Sequence, residues 1–520
     1  MKKLKVLFRI VFGRTAFVVL FLLFQIGFLF SCFRWLSNYL VYIYGGTVLV
    51  TALVVIYILN EKSNPSFKLA WVIPVLVIPV FGTFLYLFVQ LQIGTKWINR
   101  RLKDVGEESA PYLAQHSEAA ARLREVSRDK ANLAAYLKSY GGFPVCQNTS
   151  VEYFPLGDAM FPELKRQLKE AKNFIFMEYF IIERGKMWGE ILEILEEKAA
   201  QGVEVRVMYD GMCCMMLLPY HYPQTLEKKG IRSKMFSPIK PTLSTHQNNR
   251  DHRKICVIDG HTAFTGGINL ADEYINAVER FGHWKDTAVM LKGEGAQSFT
   301  MMFLQMWNIT ERQKENYGKY ICPKDSCAQF LKKSVCPELG FVIPYGDSPL
   351  DGENVGERVY MDIINQAKDY VHIMTPYLIL DNEMVTALTY AAKRGIDTVM
   401  IMPHIPDKKY AYLLARSYYP ELIEAGVNIY EYTPGFVHAK VVVADDESAV
   451  VGTINLDFRS LYLHFECAVF IHKNPSVQKI EEDFQATLKK CELVTLEDCR
   501  CYPFLPKFTG RMLRLIAPLM

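Results

Sequence analysis

The sequence predicts an α/β protein made of two similar halves in a pseudo-twofold arrangement, preceded by an N-terminal helical membrane anchor. Three observations support this prediction: a short polar pattern that occurs twice, a helix-then-strand run ahead of each copy, and a long apolar N-terminal region. With 520 residues, the chain has room for two or three domains.

The repeated pattern is His-x-Lys-x4-Asp. Its two copies are His252, Lys254 and Asp259, and then His438, Lys440 and Asp445. Each copy is followed by a glycine turn and an asparagine, which are Asn269 and Asn455. Two copies with matching tails indicate an internal duplication rather than chance.

The spacing within each copy has a geometric meaning. The apolar residues 255–258 and 441–444 favour short buried strands. Residues two apart on a strand share a face, so the histidine and lysine of each copy point the same way. Asp259 and Asp445 complete the candidate catalytic set, but they fall at a turn, where we expect them to brace the strand end.

If the two copies face each other, the site contains two imidazoles, two ammonium groups and two asparagine amides. Lysines and amides suit the phosphoryl oxygens of a phosphodiester. One neutral histidine can attack phosphorus while the other, protonated, gives a proton to the leaving alkoxide. The lysines supply the positive charge, so no metal or cofactor is predicted. The alternative, a pair of surface His-Lys segments, does not account for the duplication.

Further segments carry a resemblance that runs through both halves. They are EYFII at 178–182, RVMYD at 206–210, NRDHRK at 249–254, WKD at 284–286, TPY at 375–377, NLDFRS at 455–460 and FE at 465–466. On these motifs the chain resembles the phospholipase D superfamily and, within it, the bacterial cardiolipin synthases.

The resemblance implies site residues beyond the repeated pattern. Asp286 and Glu466 match the acids that orient the catalytic histidines in that superfamily. Thr453 matches a serine of many relatives and joins Asn269 and Asn455 as a predicted substrate contact, whereas Gly267 in the first copy lacks a hydroxyl.

The resemblance also implies a reaction. A phosphatidyl group passes from one phosphatidylglycerol to a histidine, releasing glycerol, and then to a second phosphatidylglycerol, giving cardiolipin. Relatives favour His252 as nucleophile and His438 as general acid and then base. A phospholipase D-type hydrolase and a phosphatidylserine synthase remain alternatives, as does a non-enzymatic lipid-binding scaffold.

The helix-then-strand runs fix the predicted organisation of the halves. An amphipathic stretch at 189–202 precedes an alternating strand at 203–208, and 384–395 precedes a strand at 396–402. The predicted domains are the anchor at 1–105, the first catalytic half at 106–315, a linker or insertion at 316–340 and the second catalytic half at 341–520.

Three apolar runs, at 17–33, 39–59 and 69–89, approach the length of a membrane helix and predict a multi-pass anchor in a bacterial membrane. No small-residue cleavage site follows the first run, which argues against a signal peptide. If only the second and third runs cross, most flanking lysines and arginines lie on the side of the catalytic part, which favours a cytoplasmic location. If all three runs cross the membrane, the flanking charges barely distinguish the two possible orientations. The C-terminal end could lie on the bilayer or pack as a terminal helix.

The composition limits the classes of molecule that the protein is expected to bind. The net charge of +4 is mild, which argues against a dedicated nucleic-acid binder and permits contact with anionic phospholipids such as phosphatidylglycerol. The twelve cysteines form no disulfide framework or convincing zinc pattern. The sequence leaves the oligomeric state open.

Further candidate site residues lie near the motifs. His246, His283 and His464 flank the motifs and are expected to line the site more often than the other lone histidines. Arg459 and Ser460 are candidates for a second phosphate or head-group contact.

Overall fold

The computed structural model describes residues 40–90, 93–115, 117–236, 249–311, 313, 315–321 and 339–519, together with residues 23, 26, 27, 30 and 31. The described residues before Trp97 and after Leu513 form one compact unit, and those from Trp97 to Leu513 form a second. Most of the first apolar run (17–33) and of the predicted linker (316–340) lies outside the described residues.

The first unit is helical. It contains α1 (Leu40–Asn60), α2 (Pro65–Val77) and α3 (Pro79–Gln90). Ile58, Val75 and Tyr86 are its buried centre. The predicted run at 69–89 is therefore divided at Ile78, because the proline that follows cannot continue a helix and opens α3 instead. Among the described residues, no helix combines the length and apolar character that crossing a membrane requires.

The second unit contains the two predicted halves, each built on a sheet. The strands of the first sheet are β1 (Thr149–Phe154), β2 (Phe174–Tyr179), β3 (Glu204–Asp210), β4 (Arg232–Phe236), β6 (Lys254–Ile258), β7 (Thr262–Gly266) and β9 (Ala288–Gly293). Their spatial order is β1-β9-β7-β6-β2-β3-β4. The strands β2, β3 and β4 pair in parallel, and the remaining pairs are antiparallel.

The second sheet repeats this order. Its strands are β10 (Phe341–Asp347), β11 (Tyr370–Met374), β13 (Asp397–Pro403), β14 (Asn428–Tyr432), β16 (Val441–Ala444), β17 (Ser448–Gly452), β19 (His464–His472) and β20 (Cys491–Leu493). The spatial order is β10-β19-β17-β16-β11-β13-β14-β20. Strand for strand this is the first sheet with β20 added at one edge, so the predicted duplication of an α/β half is confirmed.

Helices surround both sheets. The helices that precede β10 in the chain are α4 (Ile93–Ser109), α5 (Ser117–Val126), α6 (Arg128–Tyr136), α7 (Gly157–Glu170), α8 (Lys186–Ala200), α9 (Tyr222–Glu227) and α10 (Ala296–Asn308). Those that follow are α11 (Val355–Gln366), α12 (Asn382–Lys393), α13 (Lys409–Arg416), α14 (Tyr419–Glu424), α15 (Phe458–Tyr462), α16 (Ser476–Leu488), α17 (Leu496–Cys501) and α18 (Phe504–Ile516). The pairs α8–β3 and α12–β13 are the two predicted helix-then-strand runs.

Five short strands complete the second unit, and two pairings that involve them connect the halves. They are β5 (Arg250–Asp251), β8 (His283–Lys285), β12 (Leu378–Ile379), β15 (Gly435–Val437) and β18 (Leu456–Asp457), of which β12 and β18 pair within the second half. The strand β5 pairs in parallel with β19, and β15 pairs in parallel with β8. Each half therefore contributes a strand to the other, and this reciprocity is what a pseudo-twofold relation produces.

The eight cysteines that the structure describes are all free thiols, most of them buried in the sheets or beneath them.

Candidate active site

The two repeated motifs lie at the ends of equivalent central strands. Lys254 opens β6 and is paired with Tyr179 of β2, whereas Lys440 directly precedes β16. All four histidine and lysine side chains of the motifs are buried. The apolar residues that follow each lysine form strands with no exposed side, which explains why they show no alternation in the sequence.

The exchanged strands place each histidine beside the acid of the other half. The backbone N–H of His252 donates to the carbonyl of Phe465 at 3.0 Å, and that of His438 donates to the carbonyl of Lys285 at 2.7 Å. The carboxylate next along each of those strands, Glu466 or Asp286, then meets the histidine side chain.

The side-chain contacts are short. The Nδ1 atom of His252 lies 2.8 Å and 2.9 Å from the two carboxylate oxygens of Glu466. The Nδ1 atom of His438 lies 2.6 Å from Oδ2 of Asp286. An acid at Nδ1 leaves Nε2 of each ring for chemistry, and the pairing is crosswise: the acid of one half holds the histidine of the other.

The lysines are fixed against the same histidines. Nζ of Lys254 donates to the His252 carbonyl at 2.6 Å, and Nζ of Lys440 lies 2.9 Å from Nδ1 of His438 and donates to its carbonyl. Burial lowers the pKa of Lys254 to about 8 and that of Lys440 to about 7. The charge of Lys254 also lowers the pKa of His438 and of Lys440, so the two motifs share one electrostatic site.

The acids and histidines have complementary charge states. Burial lowers the pKa of both imidazoles well below its usual range, which keeps them neutral at neutral pH. Burial opposes the ionisation of Glu466, but the contact with His252 outweighs it and lowers the carboxyl pKa. Burial raises the pKa of Asp286 to about 6 against the opposing charge of Lys440.

Thr453 and Gly267 hold equivalent positions but do different things. The Thr453 hydroxyl donates to Glu466 and also lies 3.1 Å from the Cys467 carbonyl, so it positions the acid that holds His252. A Cβ atom on Gly267 would fall 2.0 Å from Oδ1 of Asp286. The first half therefore has no room for a hydroxyl there, because the shorter aspartate occupies that space. In this structure Thr453 contacts the orienting acid, and its predicted contact with substrate stays a prediction.

The two asparagines also differ. The amide of Asn269 is used internally: Oδ1 accepts the backbone N–H of Ile181 at 3.0 Å and Nδ2 donates to Tyr274 at 2.8 Å. Asn455 is buried, and its Oδ1 has no hydrogen-bond partner within the described residues. Of the two asparagines, Asn455 is the one left with an unpaired side-chain oxygen among the described residues.

Asp259 and Asp445 brace the strand ends, as their position at a turn led us to expect, and their predicted membership of the catalytic set stays a prediction. Asp259 accepts the backbone N–H groups of Lys172, Asn173 and Phe174 at 2.7–2.8 Å, and Asp445 accepts three equivalent groups at 368–370. Both adopt a left-handed backbone, with φ of 50° and 55°. Each lies at the far end of its strand, about 16 Å from the lysine by strand geometry. The carboxylates cannot reach a phosphoryl group bound between the histidines.

Buried ion pairs beneath the first motif were not predicted individually. Arg250 pairs with Asp210 through hydrogen bonds of 2.6 Å and 2.9 Å. Arg253 pairs with Glu178 and contacts Asp251 at 3.3 Å. Their signal in the sequence is a charged residue inside an apolar strand, as at Glu178 in FIFMEY.

Aromatic rings border the histidines. The ring of Phe180 meets that of His252 edge to face at 4.6 Å between centroids. Tyr274, Trp284 and Phe436 lie 5.4–5.8 Å from His438. These rings exclude water from the reacting groups.

The remaining candidates are divided. His464 enters the site, where its ring lies 5.5 Å from that of His252. His283 instead contacts the Tyr432 hydroxyl at 3.1 Å, and His246 lies outside the described residues. Ser460 is buried with an unpaired hydroxyl within the described part of the chain, whereas Arg459 is exposed.

Comparisons with known proteins agree with this site. The family model described as "Cardiolipin synthase, PLD-like domain" matches residues 164–307 and 360–488, which contain both motifs and both orienting acids. The model described as "Phospholipase_D-nuclease N-terminal" matches residues 49–90.

Individual relatives cover most of the chain. An uncharacterised protein of Streptococcus mutans serotype c is 51% identical over 466 residues, which are 90% of this chain and 99% of that protein. Cardiolipin synthase 2 of Bacillus anthracis is 32% identical over 461 residues, 88% of each chain. The crystal structure of phosphatidylserine synthase from Haemophilus influenzae superposes with a TM-score of 0.54 at 13% identity, covering 75% of this chain and 98% of that one, and shows the fold alone.

Three findings point to the same family. The two motifs share one buried site, a family model matches both halves, and relatives extend over nearly the whole length of the chain. The chain belongs to the bacterial cardiolipin synthases of the phospholipase D superfamily.

Proposed function

We propose that the protein is a phosphatidyltransferase that makes cardiolipin and glycerol from two molecules of phosphatidylglycerol. The observation that carries the proposal is the crosswise pairing of His252 with Glu466 and His438 with Asp286. This pairing supports a single buried site in which the acids hold the Nδ1 atoms and the Nε2 atoms perform the chemistry.

In the first step, Nε2 of His252 attacks the phosphorus of one phosphatidylglycerol. The bond from phosphorus to the glycerol head group breaks, and His438, as imidazolium, gives its proton to the departing alkoxide. Glu466 favours His252 as the nucleophile, because its ionised carboxylate holds the Nδ1 proton with both oxygens.

In the second step, a hydroxyl of the second phosphatidylglycerol attacks the phosphohistidine. His438 removes the hydroxyl proton, the phosphorus–nitrogen bond breaks and His252 returns to its neutral form. One phosphodiester replaces another, so no nucleotide or metal is consumed.

The lysines and Asn455 bind the phosphoryl oxygens. In the free site His438 is neutral, and an entering anionic diester raises the pKa of the nearby imidazole and ammonium groups. The substrate therefore brings the charge that lets His438 take up the proton it later donates.

The helices α1, α2 and α3 form the membrane anchor in this proposal. Large apolar side chains on α1 are exposed, among them Leu49, Leu53 and Ile56. On α18, Phe504, Leu505, Phe508 and Met512 are exposed in the same way, which suits the surface of a bilayer. We place the catalytic part on the cytoplasmic side of the bacterial cell membrane. Labelling of single introduced cysteines at residue 62 and in the catalytic part with an impermeant reagent tests the number of crossings and the orientation.

Purified protein in phosphatidylglycerol vesicles, with the lipid products resolved by mass, tests the reaction. We expect cardiolipin and an equal amount of glycerol. Phosphatidate as the main product would identify a hydrolase. Formation of phosphatidylserine when a cytidine-nucleotide lipid and serine are supplied would identify a phosphatidylserine synthase. If no lipid is turned over, the protein would be a non-enzymatic lipid-binding scaffold.

A further inference from the structure

His464 is a third imidazole in the site, and the proposed reaction does not use it. Its side chain is 8% exposed, and neither ring nitrogen has a hydrogen-bond partner within the described residues. Its Nδ1 lies 3.8 Å from Oε1 of Glu466, which is too long for a hydrogen bond. A buried histidine with two unpaired nitrogens has lost its contacts with water without replacing them.

The unpaired ring belongs to a compact donor set. One ligand atom each from His252, His464 and Glu466 lies within 4.8 Å of the other two, and all three residues are buried. The Thr453 hydroxyl binds Oε2 of Glu466, so Oε1 is the oxygen that faces both imidazoles. Two imidazoles and one carboxylate are a common donor set for Zn²⁺.

The other half provides an internal comparison. Trp284 precedes Asp286 by two residues, as His464 precedes Glu466, and its ring lies 5.4 Å from His438. An indole N–H donates a hydrogen bond but cannot bind a cation as a ligand. The donor set is therefore specific to the side of His252 and is not a consequence of the duplicated fold.

We propose that His252, His464 and Glu466 form a binding site for a zinc-class divalent transition-metal cation, and that the cation inhibits the enzyme. The cation takes the position of the Nδ1 proton of His252, and that proton moves to Nε2 of the same ring. Nε2 then has no lone pair for the attack on phosphorus. Inhibition rests on the proposed function, whereas cation binding does not.

Titration of the whole purified protein with Co²⁺, followed by displacement with Zn²⁺, tests the site without reference to turnover. We expect a visible absorption band typical of low-coordinate cobalt at one equivalent, and its loss when Zn²⁺ is added. His464→Asn should weaken cation binding at least about tenfold, since it removes one of three ligands. His221→Asn, which alters an exposed histidine, is the matched control and should leave binding unchanged.

Unchanged cation affinity in His464→Asn would overturn the proposal, as would the absence of a saturable cobalt band in the wild-type protein. If His464→Asn fails to fold by thermal unfolding, His464→Gln takes its place. In vesicles, Zn²⁺ should inhibit the wild type reversibly with a chelator, while the turnover that remains in the variant should resist Zn²⁺. Cobalt binding without lipid turnover would contradict the proposed function but support the cation site. Lipid turnover without cobalt binding would support the proposed function and contradict the cation site.

Discussion

His252 and His438 come from copies of one motif, but their surroundings differ. His252 faces both oxygens of Glu466, which Thr453 fixes in place. His438 faces Asp286, whose pKa is raised to about 6, and shares its Nδ1 edge with Lys440. The asymmetry suits a division of labour in which one ring is a nucleophile and the other moves protons.

The raised pKa of Asp286 predicts the acidic limb of the pH profile. Below about pH 6 the carboxyl is neutral and no longer holds the Nδ1 proton of His438, so kcat/KM falls. Above about pH 7, Lys440 loses its charge and kcat/KM falls again. We expect Asp286→Asn to lower the rate and abolish the acidic limb. Glu466→Gln is the control: it should lower the rate but keep that limb, because the Glu466 pKa is already low. Persistence of the limb in Asp286→Asn would contradict the assignment.

The hydroxyl of Thr453 provides a second test at the residue scale. Thr453→Val removes the hydrogen bond to Glu466 and leaves the side-chain volume nearly unchanged. A hydrogen bond to a buried charge contributes about 1.5–3 kcal/mol, so we expect kcat to fall about ten- to 100-fold. Thr453→Ser retains the hydroxyl and should retain most of the activity. Equal activity in Val and Ser variants, measured in the vesicle assay, would show that the hydroxyl is idle.

At the scale of elements, the strand ends are built by the aspartates of the motif. Asp259 and Asp445 each satisfy three backbone N–H groups from the start of the neighbouring central strand, β2 or β11. The spacing from lysine to aspartate that the two motif copies share is thus the length of a strand. It fixes the ends of β6 and β16 and so the position of the residues that precede them.

Asp259→Ala should therefore lower stability rather than chemistry. It leaves three amides without their acceptor and puts alanine in a left-handed conformation, at a cost of about 1–3 kcal/mol. We expect a lower midpoint of thermal unfolding and nearly normal kcat per folded molecule. Asp259→Asn keeps an acceptor and tolerates that backbone, so it should fall in between. A stable but inactive Asp259→Ala protein would restore the aspartate to the catalytic set.

The elements also show what could be predicted from the sequence. Periodicity identified the pairs α8–β3 and α12–β13, and the apolar run at 255–258 identified β6, because each is decided by local pattern. The resemblance identified Asp286 and Glu466 as orienting acids. Which histidine each acid contacts could not be predicted, since this depends on the pairing of β5 with β19 and of β15 with β8 across the halves. Thr453 was expected to contact substrate rather than Glu466, because its contact with that acid depends on the pairing of β17 with β19 within the second half.

At the scale of the whole second unit, the candidate site belongs to neither half alone. Each half supplies one histidine and the acid for the other, so the site exists only where both meet. Anchoring by the N-terminal helices and by the exposed apolar residues of α18 would keep this site at the lipid surface in the proposed function.

A site shared between the two halves predicts that the losses of activity from single histidine substitutions are not additive. His252→Ala and His438→Ala should each abolish cardiolipin formation, and the double variant should be no worse than either, because each histidine is useless without the other. All three proteins should stay folded and bound to vesicles. A wild-type-like rate in either single variant, measured against an exposed control such as His221→Asn, would refute the paired-histidine mechanism.

The covalent intermediate provides the most direct measurement. Wild-type protein mixed with phosphatidylglycerol labelled in the phosphatidyl group, quenched in base within a single turnover and digested, should carry the label on the peptide that contains His252. Label on the peptide that contains His438 would reverse the roles of the two histidines. Rapid formation of cardiolipin with no labelled histidine at any time would contradict the account as a whole.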